Sequence, residues 1–354
     1  MIKISAAIMH HPRRAGRIPD LVRACAPLNP TVVADPEPDG RPSPLRTAKR
    51  AWAAIDPGAT HHLVLQDDVR TVPGFAVQLH AAIERRPSHG VSLFCLWHTP
   101  HNSYLVRRAA VAGAAYAPLS PREWTPTQGF VLPVAHARAL AEYLAGIPDE
   151  VQDDDEMIVI FCRERGIPVV ATVPHLMDSG LEKSLVAGHI NGLRAVVHTP
   201  GRPWSAEGAS ATLELPPGSY AVELHDSVCS IRPMHGDPVE HQFPWYWYDA
   251  CPLTGLEPEA VLEAGAAHLS GLPTRFLPTM TEVWAAGYLL GADAGRFVAD
   301  SAGPLTSAAL RSWIDQGLSA ADRRLGDPMR NDCVGLAWTA VRAGLRAERC
   351  DDAS

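Results

Sequence analysis

Continuous apolar runs alternate with amphipathic segments over the first hundred residues, and this limits the fold more than any other feature of the chain. IKISAAIM at 2–9, TVVA at 31–34, HLVLQ at 62–66 and VSLFCLW at 91–97 have the length and composition of strands. Between them lie RIPDLVRACA at 17–26, LRTAKRAWAAI at 45–55 and FAVQLHAAIERR at 75–86, with apolar residues at helical spacing. A strand that is apolar throughout, without polar alternation, is buried on both faces. Helices between successive strands supply that cover and carry the crossovers. The pattern predicts an α/β fold with a mostly parallel, Rossmann-type sheet and flanking helices. Ligands of such sheets sit beyond the carboxyl ends of the strands. Asp35 ends the second run, Asp67 and Asp68 the third, and His98 and His101 follow the fourth. Pro100, between those two histidines, favours a loop there over a helix carrying a metal pair.

Further along, 100–128 is less regular, and 124–147 reads as loop, short strand and helix, with Gly129 allowing close backbone approach or a positive φ. DEVQDDDE at 149–156 is an acidic cluster opening a helix, with Asp153 as N-cap, where the helix dipole favours carboxylates. IPVVATVPHLMD at 167–178 is a further strand, and SGLEKSLVAGH at 179–189 a loop. The texture changes near residue 200. GRPWSAEGAS resembles a linker, ATLELPPGSYAVELH a hairpin turning at PPGS, and PWYWYD at 244–249 a hydrophobic seam between two regions more than a sugar-stacking platform. Helical patterns follow near 257–269, 281–300, 305–322 and 332–347. The expected division is a catalytic domain over 1–200 and a small hairpin followed by a helical domain over 201–354.

The chain has 354 residues, 46% hydrophobic and 20% charged, which supports a large core and argues against global disorder. Its abundant Pro, Ala and Arg reflect a GC-rich bacterial coding bias as much as structure. A net charge of −8 gives no support for a polyanion-binding surface, so nucleic acid is disfavoured as a partner. The local basic spots RRAGR at 13–17 and RTAKR at 46–50 suit a few phosphates. The seven cysteines are odd in number and lack C-x-x-C spacing, which weakens both a disulfide framework and a zinc ribbon. MIKISAAIMHH looks like a first strand and not a signal peptide, and no apolar run is long enough to span a bilayer. The expectation is a reduced, cytoplasmic protein.

The adjacent carboxylates Asp67 and Asp68 need a nearby cation, because like charges repel and burial raises their pKa values. A divalent metal, Mn²⁺ or Mg²⁺, is the obvious candidate, with a diphosphate completing its oxygen shell. LVLQDDV at 63–69 then resembles the metal-binding motif of the GT-A glycosyltransferases, which transfer sugars from nucleotide-sugar donors. The resemblance extends to the basic helix SPLRTAKRAWAAI, to VPGFAVQL, to TQGFVLP and to the acidic segment, helix and strand from 153 to about 192, a little over half the chain. It implies a GT-A-like catalytic domain using a nucleotide-diphosphate sugar. Asp68, assisted by Asp67, would be the primary metal ligand. His175, His189 and His198 compete to complete the site, and His189 is preferred. His10, Asp35, Arg46, Lys49 and Asp67 fall where the resemblance expects the donor. Asp154 or Asp155 falls where an inverting enzyme keeps its base. The C-terminal region would shape the acceptor side or a homodimer contact. Two alternatives stand beside this reading. One is a non-catalytic nucleotide- or protein-binding module. The other is a sugar nucleotidyltransferase, disfavoured because MHHPRRAG lacks a Gly-rich loop.

Overall fold

The structure is a computed structural model, and it describes residues 1–151, 153–181, 194–205, 213–216, 219–234, 243–298 and 302–347. The chain divides into two compact units, Met1–Leu96 with Pro121–Glu207, and Trp97–Ser120 with Gly208–Ser354. Residues 97–120 therefore group with the C-terminal half, whereas a division at residue 200 leaves them in the first domain.

The first unit is α/β. Its strands are β1 (Ile4–His10), β2 (Thr31–Ala34), β3 (His61–Gln66), β4 (Val69–Thr71), β5 (Gly90–Ser92), β7 (Gly129–Pro133), β8 (Val169–Thr172) and β9 (Met177–Ser179). Its helices are α1 (Ile18–Ala24), α2 (Pro44–Ala53), α3 (Phe75–Arg85), α5 (Val134–Ala145) and α6 (Asp154–Glu164). Six of these strands belong to the central seven-stranded sheet, in the order β2-β1-β3-β7-β5-β8. β1 runs parallel to β2 and β3, and β5 runs parallel to β8. β7 is antiparallel to both β3 and β5, so the sheet is mixed, though mostly parallel. β2 lies at the sheet edge, which is why Val32 stays 40% exposed although its run is wholly apolar. Leu45, Trp52, Leu140, Leu144, Ile158 and Phe161 of α2, α5 and α6 join Val64, Phe130 and Leu132 of the sheet in one core.

Local chemistry sets several element ends. Ser43 caps α2 by accepting the Arg46 backbone N–H, and Pro44 starts the helix where no intrahelical donor is needed. Asp153 stands at the N-cap of α6 but makes no side-chain capping bond. Gly129 is required for close approach, since a Cβ there would run into the Met177 thioether and stand 3.2 Å from Leu65 Cδ2. The run at 91–97 pairs as a strand only at Gly90–Ser92. Beyond it Leu93, Phe94 and Cys95 are buried, Leu93 donates to Gly129 O, and Leu96 forms an isolated bridge to Ala195.

The second unit is mainly helical. It contains α4 (Pro100–Ala112), β6 (Tyr116–Pro118), β10 (Tyr220–His225), β11 (Val228–Pro233), β12 (Trp245–Tyr246), α7 (Trp247–Ala250), α8 (Pro258–Leu269), α9 (Leu277–Ala294), α10 (Thr306–Gly317), α11 (Ala320–Arg323) and α12 (Asp327–Gly344). The helix at 100–112 overturns the expected irregularity: Pro100 sits in its first turn, where proline starts a helix and does not break one. The hairpin joins β10 to β11 through Asp226 and Ser227, both at positive φ, and Ser219 only turns the chain into β10. PWYWYD is not one buried seam. Trp247 enters the core, whereas Trp245 and Tyr246 are 56% and 46% exposed. The six described cysteines are buried. Among the described residues, no helix is long and apolar enough to cross a membrane.

Candidate functional site

A cleft of about 290 Å³ lies within the first unit, at the carboxyl ends of β1, β2 and β3. The turn after β1 brings His10, His11 and Arg14; the loop after β2 brings Asp35; the turn after β3 brings Asp67 and Asp68; the start of α6 brings Asp154 and Asp155. These groups are far apart in sequence. The parallel strands place their carboxyl ends side by side.

Asp67 is the hub. Its Oδ2 accepts the His11 backbone N–H at 2.7 Å and lies 3.2 Å from His10 Nδ1, and its Oδ1 accepts from Arg14 Nη1 at 2.9 Å. The same Arg14 nitrogen is 3.0 Å from Asp68 Oδ2. Two carboxylates about 4 Å apart repel by roughly 4 kcal/mol at an effective dielectric near 20, and a guanidinium between them reverses that sign. Arg14 thus supplies the cation that the Asp-Asp pair demands. A short 3₁₀ segment, Pro12–Arg17, carries it there, with Arg14 itself at a kinked φ of −110° and ψ of 17°. His11 fixes the turn: its Nδ1 accepts from the Arg13 backbone N–H, so Nε2 carries the proton toward Pro38 O at 3.1 Å. Burial pushes the Asp68 carboxyl above its usual range; Asp67 adds to this and Arg14 opposes it.

Asp35 and Arg46 form a two-pronged pair, Nε to Oδ1 at 3.0 Å and Nη2 to Oδ2 at 3.1 Å. Burial pushes the Asp35 carboxyl up, but the Arg46 hydrogen bond and charge, with the Glu37 backbone N–H, hold it below its usual range. Arg46 also donates to Glu37 O and Arg41 O, so its guanidinium organises the wall of the cleft at 35–41. Lys49 does not join the site. Its Nζ bonds Ile147 O and Asp149 Oδ1, each at 2.5 Å, and it lines no part of the cleft.

The acids at the start of α6 face the cleft with weakened acidity. Burial raises the Asp154 carboxyl to about 7, with the neighbouring Asp155 adding to the rise and a Thr127 hydrogen bond opposing it. Burial likewise raises Asp155 to about 6, while the Glu156 backbone N–H, 2.8 Å from its Oδ1, opposes the shift. Asp154 is buried and Asp155 partly open.

Sequence reasoning missed three contributors. Arg14 was visible only as part of the basic spot RRAGR; nothing in its spacing showed which carboxylates it meets. Arg194 and Ser179 also line the cleft. Both are placed by the buried Asp178, whose Oδ1 accepts the backbone N–H groups of Ser179, Arg194 and Ala195 at 2.7, 3.0 and 3.0 Å. His189 lies outside the described residues. His175 is buried, with Nδ1 at 2.8 Å from Thr172 O, and the charge of Asp178 acts on His198; neither lines the cleft. His98 and His101 lie outside the cleft. The first is exposed, and the second is buried in the second unit with its imidazole pushed down to about 3 by burial and the Arg232 charge.

Mg²⁺ and Mn²⁺ favour oxygen ligands and are commonly held by one or two carboxylates with phosphate oxygens and water. Asp68, whose Oδ2 lies 3.0 Å from Arg14 Nη1 and whose side chain is 21% exposed, fits that role. Asp67, with both oxygens engaged, fits it poorly. Among the described residues, no group of three or more His, Cys, Asp or Glu is arranged to hold a metal without help from a ligand. Comparison with known proteins finds no matching family model and no matching curated sequence.

Proposed function

We propose that the chain is a glycosyltransferase that moves a sugar from a nucleotide-diphosphate donor to an acceptor hydroxyl, with Asp68 as the protein ligand of a divalent cation. One observation carries this reading: acids and bases from four separate stretches of sequence converge in one cleft at the carboxyl ends of β1–β3. Six aspartates line it against four arginines, a balance that repels a bare diphosphate but suits one accompanied by a dication.

The residues divide the work as follows. The Asp35–Arg46 pair and the His10–His11 turn shape the pocket for the nucleoside. Arg14 and Arg194 face the diphosphate. A dication on Asp68 would neutralise charge on the departing diphosphate. Asp155, its carboxyl raised by burial to about 6 and partly open to the cleft, accepts the acceptor hydroxyl's proton as that oxygen attacks the anomeric carbon. The sugar–phosphate bond breaks on the opposite face, so the product has inverted configuration. Asp154, more deeply buried, is held by a Thr127 hydrogen bond at the helix start.

A thermal-shift screen of nucleoside diphosphates with and without Mn²⁺, on the wild type and on Asp68→Ala, tests the reading. Metal-dependent stabilisation by one diphosphate, absent in the variant, supports it and names the base. A folded wild type that no nucleotide stabilises refutes it.

A further inference from the structure

Arg14 stands where an incoming metal would have to work. Its Nη1 touches Asp67 Oδ1 at 2.9 Å and Asp68 Oδ2 at 3.0 Å, and its side chain is 13% exposed. We propose that Arg14 is a resident counter-cation that closes the Asp67–Asp68 pair to free divalent metal, and that it releases Asp68 only when the metal arrives together with a diphosphate. This rests on the donor-site reading above.

Charge and geometry carry the argument. A free dication that takes Asp68 must displace a guanidinium already bonded there, or sit beside it and be repelled. A diphosphate removes that conflict, because its oxygens ligate the metal and also give the displaced guanidinium a new anionic partner. Arg suits the exchange, since its planar fork bonds carboxylate and phosphate alike. Asp67 keeps its bonds to the His11 backbone N–H and to His10, so the turn remains fixed while Arg14 changes partner. Metal and nucleotide then bind as a unit, and the cleft stays shut to free metal. The device is a coupling free energy between two ligands, and it is reciprocal: each raises the affinity for the other by the same factor.

The test is Mn²⁺ binding, read from loss of the free-ion paramagnetic resonance signal and from calorimetry. The wild-type chain, Arg14→Gln, Arg14→Met and Asp68→Asn would each be measured with and without the diphosphate found in the screen. The expected result is weak Mn²⁺ binding by the free wild type and binding about tenfold tighter or more in the folded Arg14 variants without nucleotide. The enhancement by nucleotide should shrink by a similar factor in those variants, and Asp68→Asn should bind Mn²⁺ in neither state. If the Arg14 variants bind free Mn²⁺ no more tightly than the wild type, while all still bind the Mn²⁺–diphosphate pair, the counter-cation role is overturned and the donor site stands. If neither variant folds, the wild type still decides: micromolar binding of free Mn²⁺, unimproved by nucleotide, overturns the proposal. Failure of the wild type to bind any Mn²⁺–diphosphate pair removes the donor-site reading and this inference with it.

Discussion

Asp67 and Asp68 are neighbours in sequence with unlike duties. Asp67 is 5% exposed at its side chain and accepts from His10, from the His11 backbone and from Arg14, whereas Asp68 is 21% exposed and meets the same Arg14 nitrogen at 3.0 Å. Asp67→Ala leaves a buried guanidinium and a backbone N–H without that acceptor and should destabilise the fold by about 3 kcal/mol. Asp68→Ala should change stability far less, and a pair of urea denaturation curves checks the contrast. At the start of α6, Asp155→Asn should lower the turnover of the proposed sugar transfer by roughly 10²–10⁴-fold with little change in donor binding, read as kcat against KM. Asp154 adds a pH signature. Its folded carboxyl is raised from 3.8 to about 7, so between those values the folded state holds more protons than the unfolded state. Its contribution is favourable to folding at low pH and turns unfavourable as pH rises from about 4 to about 7. Asp154→Asn should therefore raise Tm near pH 8 and lose that advantage near pH 4, which thermal melts across pH would show.

At the element scale, helical periodicity revealed α9 and α12 without showing how close they come. Ideal Cβ atoms at Gly287, Gly291 and Gly344 would strike facing backbone, 2.8 Å from Ala337 O in the case of Gly287. Gly291→Ala gains helix propensity yet overpacks this seam, and should cost about 1–3 kcal/mol net, measurable as a lowered Tm. α4 gives the opposite lesson. Its residues from His101 to Ala112 are all buried, polar ones included, so no amphipathic stripe marks it. Pro100 looked like a breaker there because proline means opposite things at a helix start and in a helix interior. The apolar run at 91–97 misled in another way: beyond Ser92 its buried residues bond to Gly129, Leu176 and Val196 one at a time and not as a regular ladder, and the two arrangements look the same in sequence.

At the scale of the whole molecule, the second unit interrupts the first in sequence, since 97–120 belongs with 208–354. A fragment ending at residue 200 carries α4 but none of its partners α9, α10 and β10. It should expose that buried surface, bind a hydrophobic dye and aggregate, whereas the full chain should not. Much of the first unit was nonetheless legible in its sequence. Strand and helix alternation determined the α/β class and, β4 apart, the order of strands and α-helices through α3, because apolar period and turn chemistry are local properties. The same patterns placed Asp35, Asp67, Asp68, Asp154 and Asp155 at strand and helix ends, where the cleft forms. Tertiary structure alone decided that β7 runs antiparallel, that Lys49 turns to Asp149 and away from the cleft, that Arg46 braces Asp35, and that Arg14 bridges the aspartate pair. Those outcomes depend on the direction of strands and the reach of long side chains across 53 residues of sequence or more in the case of Arg14 and Asp67. A sequence lists the charges on a chain; which of them meet is settled when the sheet brings its strand ends together.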